Sequence, residues 1–258
     1  MELIHVQKVN LYVCSHKDYV NSDITNKCYR LISDKPVKND SALSFIQSDG
    51  FLDNRLWSEL SHMYYVWKHE DLQADWIGFV HYRRYFSWLN DIPELTKPIL
   101  AKHIVLPYSV YMQYDVCHNS NDLKLMLDII YTLEKEYYCT AIEVYDGHIY
   151  FPYNMYVLPK IVFNEFCNFI FKILNTVDAV YNIHNDYTNM CQHICENSNR
   201  YIDKSQYPQT TVRYQARLYG FLAERLLSIW FTKYIKEHGQ QSVIESEVIT
   251  TEPTYNKT

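Results

Sequence analysis

The stretch WIGFVHYRRYF at residues 76–86 constrains the fold more than any other part of the chain. Its first part, residues 76–82, is apolar at nearly every position instead of at alternate positions. That pattern is typical of a strand that is covered on both faces of a sheet. The apolar run then stops at Arg83 and Arg84, which have aromatic neighbours. We therefore expect a central strand that carries two cations to one edge of the sheet.

Helix-like and strand-like patterns alternate along the rest of the chain. The predicted strands or strand–loop units are 10–16, 76–82, 103–112 and 148–159, and the predicted helices begin at Asp53 and cover 121–137, 159–175, 186–200 and 213–237. Residues 17–50 are expected to be loop with minor elements. The alternation predicts an α/β fold with a mixed, mostly parallel central sheet flanked by helices. We expect one domain over 1–238 and a loosely held polar tail at 239–258.

The helix predicted to begin at Asp53 has one apolar stripe. Its members are Leu56, Leu60, Met63 and Trp67. Glu59 lies beside this stripe, so we expect its carboxylate to half-face the core.

The last predicted helix has two faces of different character. Its inner face is marked by Leu218, Leu222, Arg225 with Leu226, and Ile229, and a polar stripe is formed by Arg213, Arg217, Gly220 and Glu224. A glycine inside a helix costs roughly 1 kcal/mol relative to alanine, so we expect another segment to pack closely at Gly220. The polar stripe is either a ridge facing a ligand or a solvated face, and the sequence alone leaves both open.

The overall composition limits the partners and the setting. The net charge of −6 and pI near 6.0 predict no general attraction to nucleic acid, so any anion must be bound locally. Seven scattered cysteines, no expected signal peptide and no apolar run near the roughly 20 residues of a membrane span predict a reduced, cytoplasmic protein. The five glycines form neither G-x-G-x-x-G nor a P-loop.

The position of the arginine pair predicts an anion site. In α/β sheets, ligands bind just beyond the carboxyl ends of the central strands, which is where residues 81–84 fall. Arginine stays charged and offers planar donors, so two arginines can hold a diphosphate without a metal. Arg83 and Arg84 are consecutive, and we expect only one of them to face the ligand. The competing interpretation is a surface pair bound to nearby carboxylates.

Six segments, in order, resemble a known family. They are LYVCSHK, SELSHMYYVWKH, DWIGFVHYRRYF, HIVLPY, YNMYVLPKIVFNEFCNFIF and RLYGFLAERLLSIW, within about residues 11–235. They resemble the DUF4422 family of bacterial glycosyltransferases, found in capsule and lipopolysaccharide O-antigen gene clusters. The resemblance implies a GT-A-like nucleotide-sugar fold. It also implies a hexosyltransferase that moves a hexose, often galactose, from a nucleotide donor to a growing glycan.

Roles for individual residues follow from that resemblance. Glu59 is the first candidate for a carboxylate in the site, as general base for the acceptor hydroxyl or as a ligand of a sugar hydroxyl. Arg83 and Arg84 would neutralise the leaving diphosphate. The residues expected to bind the donor are His16, Asp53, Asn54, His81, Tyr82, Asn154, Arg217 and Glu224. The match departs from the family before the first helix, where only Asp53 and Asn54 correspond.

The resemblance also implies cofactors and partners. The donor would be a nucleotide sugar, UDP-linked, and the acceptor a glycan or lipid-linked oligosaccharide. A lipid-linked acceptor leaves peripheral association with the inner membrane open. No clear Asp-x-Asp motif occurs, so the arginines would replace or assist a divalent cation, manganese or magnesium.

Two other classes of function stay open at this point. A non-catalytic nucleotide-sugar or glycan-binding module would keep Arg83 and Arg84 but would not need Glu59. A phosphate-handling enzyme such as a nucleotidyltransferase would want metal-binding carboxylates, which the sequence does not show clearly.

Overall fold

A computed structural model describes residues 7–18, 23–39, 41–197 and 211–251. The strands are β1 (Val9–Cys14), β2 (Tyr29–Ser33), β3 (Ser44–Gln47), β4 (Trp76–His81), β5 (Arg84–Phe86), β6 (Ile99–Ala101), β7 (Ile104–Val105), β8 (Ile149–Tyr150), β9 (Tyr156–Pro159), β10 (Ile244–Ser246) and β11 (Val248–Thr250). The helices are α1 (Asn54–Trp57), α2 (Leu60–Lys68), α3 (Val110–Cys117), α4 (Ser120–Leu133), α5 (Tyr138–Asp146), α6 (Lys160–Val180), α7 (Tyr187–Glu196), α8 (Val212–Gln215) and α9 (Leu218–His238).

The main sheet is mixed, as predicted. Strands β3, β2, β1 and β4 are neighbours in that order and all run parallel. Strand β9 runs antiparallel to both β4 and β6, and β10 is parallel to β6. Strand β5 folds back antiparallel to β4 and also pairs with β11, while β7 and β8 form a separate ribbon. The carboxyl ends of β1, β2 and β4 therefore meet at one edge of the sheet.

The two faces of the sheet are covered differently. Along β1, Tyr12 and Cys14 pack into a large cluster with apolar residues of α2, α4, α5, α6 and α9. The alternating residues Leu11 and Val13 pack on the opposite face, where the described cluster members come from strands and loops. Uniform apolarity of β4 predicted that both faces are covered, and it could not tell a helix cover from a loop cover. No helix among the described residues combines the length and the apolarity that a bilayer crossing requires.

Two strands lie where loop was expected. Residues 17–50 contain β2 and β3, so the expectation of loop with minor elements is wrong for this part of the chain. Strand β2 has only five residues, and β3 has four at the edge of the sheet with mostly exposed side chains. Such short segments carry too few residues to show a periodicity, and their pairing with β1 supplies the stability that local pattern does not.

The segment after Gly239 is also more ordered than expected. Strands β10 and β11 join the main sheet through β6 and β5, although the sequence predicted a loosely held polar tail from residue 239. That expectation is wrong for residues 244–250. Their backbone hydrogen bonds to the sheet do not require an apolar pattern, which explains why composition alone missed them.

Gly78 lies in the middle of β4, where its neighbours are very close. A Cβ atom there would lie 2.5 Å from Cδ2 of Leu11, 2.9 Å from Cγ2 of Val157 and 3.1 Å from the carbonyl oxygen of Tyr156. We expect Gly78→Ala to lower the free energy of unfolding by about 1–3 kcal/mol, because overpacking a dense core forces its neighbours to shift. Urea unfolding followed by circular dichroism measures this, and a midpoint equal to that of the unmodified protein would contradict it.

Candidate active site

The carboxyl ends of two adjacent parallel strands form one side of the candidate site. Cys14, the last residue of β1, pairs with His81, the last residue of β4. The backbone N–H of Tyr82 donates to the carbonyl of Cys14 over 3.1 Å. The ring of Tyr82 meets the ring of His16 edge-on, with centroids 5.3 Å apart. The structure therefore brings together His16, His81 and Tyr82, three of the residues predicted to bind the donor.

The two arginines leave this edge toward different partners. His81 pairs with Arg84 across the β4–β5 hairpin, so Tyr82 and Arg83 form its two-residue turn. Arg83 is exposed, and its guanidinium lies 5.1 Å from the centroid of the Tyr82 ring. Arg84 is half-buried, with its guanidinium 4.5 Å from the ring centroid of Tyr153. The pair is thus split between the tip and the stem of a hairpin.

A left-handed backbone segment forms the floor next to this hairpin. Tyr153 and Asn154, between β8 and β9, have φ values of 72° and 50°. Non-glycine residues adopt this region at a cost of roughly 1–2 kcal/mol, so the surroundings must hold it in place. Nε2–H of His81 donates to the carbonyl of Tyr153 over 2.6 Å, and the N–H of Tyr153 donates to Oε1 of Glu224 over 2.8 Å. His81 and Glu224 together fix this turn.

Glu59 enters the site through the amide of Asn154. Nδ2 of Asn154 donates to Oε1 of Glu59 over 2.6 Å and to the carbonyl of Gly220 over 3.3 Å. Among the described residues, Oε2 of Glu59 accepts no hydrogen bond, and the side chain is half-buried. Oδ1 of Asn154 is buried and has no partner among the same residues. Asn154 therefore joins the start of α2 to α9 and orients the Glu59 carboxylate.

A break between α1 and α2 explains why Glu59 is available at this position. Ser58 has a φ of 52°, which ends α1 and starts α2 in a new direction after Glu59. Nε of Arg217 donates to Oγ of Ser58 over 2.9 Å. A Cβ on Gly220 would lie 3.0 Å from that oxygen and 3.2 Å from Cβ of Ser58. The prediction that another segment packs closely at Gly220 is confirmed, whereas Arg213 is exposed on α8.

A buried arginine holds Glu224 from the other side. Nη1 of Arg225 donates to Oε2 of Glu224 over 3.0 Å, and Nη2 donates to Oε1 of Gln113. Burial raises the pKa of Glu224, and the nearby Glu59 carboxylate adds to this rise, while Arg225 and the N–H of Tyr153 oppose it. The role of Arg225 was not predicted, although an arginine on the inner face of an apolar helix is a signal of a buried, paired charge.

Two histidines at this edge are kept neutral. The side chain of His16 reaches solvent, but neighbouring atoms enclose part of its ring. This partial enclosure and four nearby cations lower the pKa of His16 to about 4; the cations are Lys17, Arg217, Lys35 and Arg83. Burial lowers the pKa of His62 on α2 to about 3, and His16 and His81 contribute to this. Both imidazoles are therefore uncharged at neutral pH.

Asp53 and Asn54 lie behind the Glu59 junction. The carboxylate of Asp53 accepts from the backbone N–H of Arg55 over 2.9 Å and caps α1. Nδ2 of Asn54 donates to the carbonyl of Ser58 over 2.8 Å and to Nε2 of His62 over 3.3 Å. These contacts orient the turn that presents Glu59, and contact of either residue with a donor stays a prediction.

A separate groove of about 640 Å³ lies away from the strand ends. Residues of α2, α6 and α9 line it, including Trp67, Lys172 and Trp230. No residue predicted for the site lines this groove. The candidate site is placed at the strand ends because cations, carboxylates and a left-handed turn converge there.

Comparison with known proteins connects this fold to one family and one solved structure. The family profile described as Domain of unknown function (DUF4422) matches residues 10–195. A solved structure described as the WbbM bifunctional glycosyltransferase in its apo form is similar, with a TM-score of 0.69 and 19% sequence identity. That match covers 97% of this chain and 46% of the other, so the chain spans about half of the length of that protein. No curated protein matches the sequence. At this identity the structural match supports the fold.

Proposed function

This chain belongs to the DUF4422 family, and on that premise we propose that it is a glycosyltransferase. It moves a hexose, with galactose the first candidate, from a UDP-linked donor to a growing capsular or O-antigen glycan. The hexose, the UDP and the pathway rest on the resemblance of the sequence motifs. The acceptor is a glycan or a lipid-linked oligosaccharide. The enzyme works in the cytoplasm, at the surface of the inner membrane when the acceptor is lipid-linked.

One observation carries this proposal. Cations and carboxylates lie together around the Tyr153–Asn154 turn at the carboxyl edge of the sheet. Arg83 and Arg217 stand on the side of His16, and both lower its pKa. Glu59 and Glu224 both contact the turn from the helices. Cations beside carboxylates suit a donor whose diphosphate must leave and an acceptor hydroxyl that must lose a proton.

In the transfer step, the Glu59 carboxylate and the arginines have different tasks. Glu59 accepts the proton of the acceptor hydroxyl, whose oxygen forms a bond to the anomeric carbon of the donor sugar. The bond from that carbon to the diphosphate oxygen breaks, and its electron pair remains on the diphosphate. Arg83, at the tip of the β4–β5 hairpin, stabilises the charge that develops there, and Arg84 supports the Tyr153–Asn154 turn. Asn154 keeps Oε1 of Glu59 engaged and Oε2 open toward the acceptor.

A divalent cation is the alternative means of holding the diphosphate at this site. Nucleotide-sugar enzymes with an Asp-x-Asp motif use its carboxylates to hold a metal. The described residues contain no group of three or more His, Cys, Asp or Glu side chains that could hold a metal ion. The residues present therefore do not fit a metal held by protein ligands alone, and the step above relies on arginines.

A thermal-shift screen tests the proposed function. We expect a UDP-sugar to raise the melting temperature more than GDP-, CMP- or dTDP-sugars do. A ligand at 100 times its Kd adds about 2.7 kcal/mol to the stability of the folded state, so the donor that binds most tightly gives the largest shift. The screen is run with manganese and with EDTA, and release of UDP from the best donor is then measured. No shift with any donor, together with no release, would overturn the proposal. Binding without release would favour a non-catalytic binding module.

A further inference from the structure

Four cations reach the same edge of the molecule from different elements. Lys17 follows the carboxyl end of β1, Lys35 that of β2, and Arg83 that of β4. Because these three strands are adjacent and parallel, their following residues must emerge at one edge. Arg217, just before α9, donates to Oγ of Ser58 and lies near enough to His16 to lower its pKa. A protein with a net charge of −6 has thus gathered positive charge at one place.

Short turns keep the two lysines close to the strand ends. Oγ of Ser15 donates to the carbonyl of Lys17 over 2.8 Å, which closes the turn after β1. The N–H of Lys35 donates to Oγ of Ser33 over 3.4 Å, which closes the turn after β2. The N–H of Ser15 also donates to the carbonyl of Ile32 over 3.0 Å and ties the two turns together.

We propose that Lys17, Lys35, Arg83 and Arg217 form one dianion subsite around His16, and that a bound diphosphate draws a proton from solvent onto His16. The protonated imidazole then donates a hydrogen bond to the diphosphate. This inference deepens the proposed function and rests on it for the identity of the ligand. It assigns Lys17 and Lys35 a ligand-binding role and gives donor binding a defined pH dependence.

The charges around His16 account for both states of its ring. In the unliganded protein, enclosure and the four cations lower its pKa to about 4, so the ring is neutral. Among the described residues, Tyr82 from the β4–β5 turn meets the His16 ring edge-on, and His62 from α2, whose own pKa is lowered to about 3, interacts with it electrostatically. A dianion placed among the cations offsets part of their charge and brings negative charge next to the ring. An opposite charge within 4–6 Å raises the pKa of a histidine by roughly 1–3 units.

The sign of the pH effect follows from that rise. A ligand that binds the protonated form better loses affinity as pH increases from the free pKa to the bound pKa. Within this window the Kd rises by up to about tenfold per pH unit, and above it the Kd is constant. The window starts at about pH 4, the pKa of His16 in the unliganded protein.

The test follows the His16 ring by NMR with sulfate as the probe. Sulfate is a dianion that does not titrate near neutral pH, and chloride at the same ionic strength is the reference. We expect His16, assigned with His16→Asn, to stay neutral between about pH 5 and 7.5 in chloride and to titrate in that range in sulfate. No change in sulfate would overturn the proposal. An equal change in chloride would show screening by salt and would overturn it as well.

Two lysine variants make the test specific. Lys35→Ala removes an exposed cation that follows β2, and Lys27→Ala removes an exposed cation that precedes it. The two lysines therefore lie at opposite edges of the sheet. We expect Lys35→Ala to raise the pKa of His16 in chloride and to reduce the further rise in sulfate by at least half. We expect Lys27→Ala to change neither quantity. Equal behaviour of the two variants would contradict a localised subsite.

The outcome is separable from that of the proposed function. A sulfate-dependent titration of His16 without transfer from any nucleotide sugar would leave the dianion subsite in place and remove the glycosyltransferase assignment. Transfer from a nucleotide sugar, with no change of His16 in sulfate, would keep the glycosyltransferase assignment and remove the dianion subsite.

Discussion

Replacing Glu59 with Gln is expected to lower the rate of glycosyl transfer by about 10²–10⁴-fold, the usual contribution of a general base. The variant keeps the shape of the side chain and an oxygen that can accept from Nδ2 of Asn154, so the link to α9 is retained. It removes the basic oxygen that would take the acceptor proton. We therefore expect the Kd of the nucleotide, measured by calorimetry, to change by less than about threefold.

The same kinetics distinguish the two roles considered for Glu59. A fall in kcat with an unchanged KM for the donor indicates a base that acts in the transition state. A rise in KM for the donor with little change in kcat indicates a ligand of a sugar hydroxyl. Glu70→Gln is the matched control, because Glu70 is exposed just beyond α2. Transfer by Glu59→Gln at the rate of the Glu70→Gln control would remove Glu59 from the mechanism.

The positions of the site residues along the chain were partly predictable. The uniform apolarity of β4 placed residues 81–84 at the carboxyl edge of a central strand, and the β1–β4 pairing brings His16 beside Tyr82 there. Gly220 was predicted to face a close neighbour because glycine is unfavourable inside a helix. These inferences depend on local pattern, which a single sequence carries.

The contacts that orient the carboxylates were beyond such inference. Glu59 and Asn154 are 95 residues apart along the chain. Their hydrogen bond requires a left-handed backbone at Ser58 and at the Tyr153–Asn154 pair. None of these residues is a glycine, and only Asn154 is of a type enriched at positive φ, so the local sequence gives a weak signal for these values. The surrounding hydrogen bonds impose them, and those bonds exist only after the fold has formed.

The hairpin made by β4 and β5 gives different expectations for the two arginines. Arg83 lies at its exposed tip and contributes to the positive charge around His16. Arg84 lies over the ring of Tyr153, whose backbone groups bind His81 and Glu224. We therefore infer that Arg83 is the one of the pair that faces the diphosphate, while Arg84 supports the turn that holds the carboxylate side.

Replacing Arg83 with Ala is accordingly expected to weaken UDP binding by about 10–150-fold, since hydrogen bonds to charged groups contribute roughly 1.5–3 kcal/mol. Arg84→Ala is expected to reduce kcat more than nucleotide affinity, because it loosens the Tyr153–Asn154 turn. Calorimetry with UDP and steady-state kinetics measure the two effects, with Lys27→Ala as a control that removes one charge from the opposite edge. A larger loss of affinity in Arg84→Ala would exchange the two roles. Unchanged binding in both arginine variants would contradict the placement of the diphosphate at this hairpin.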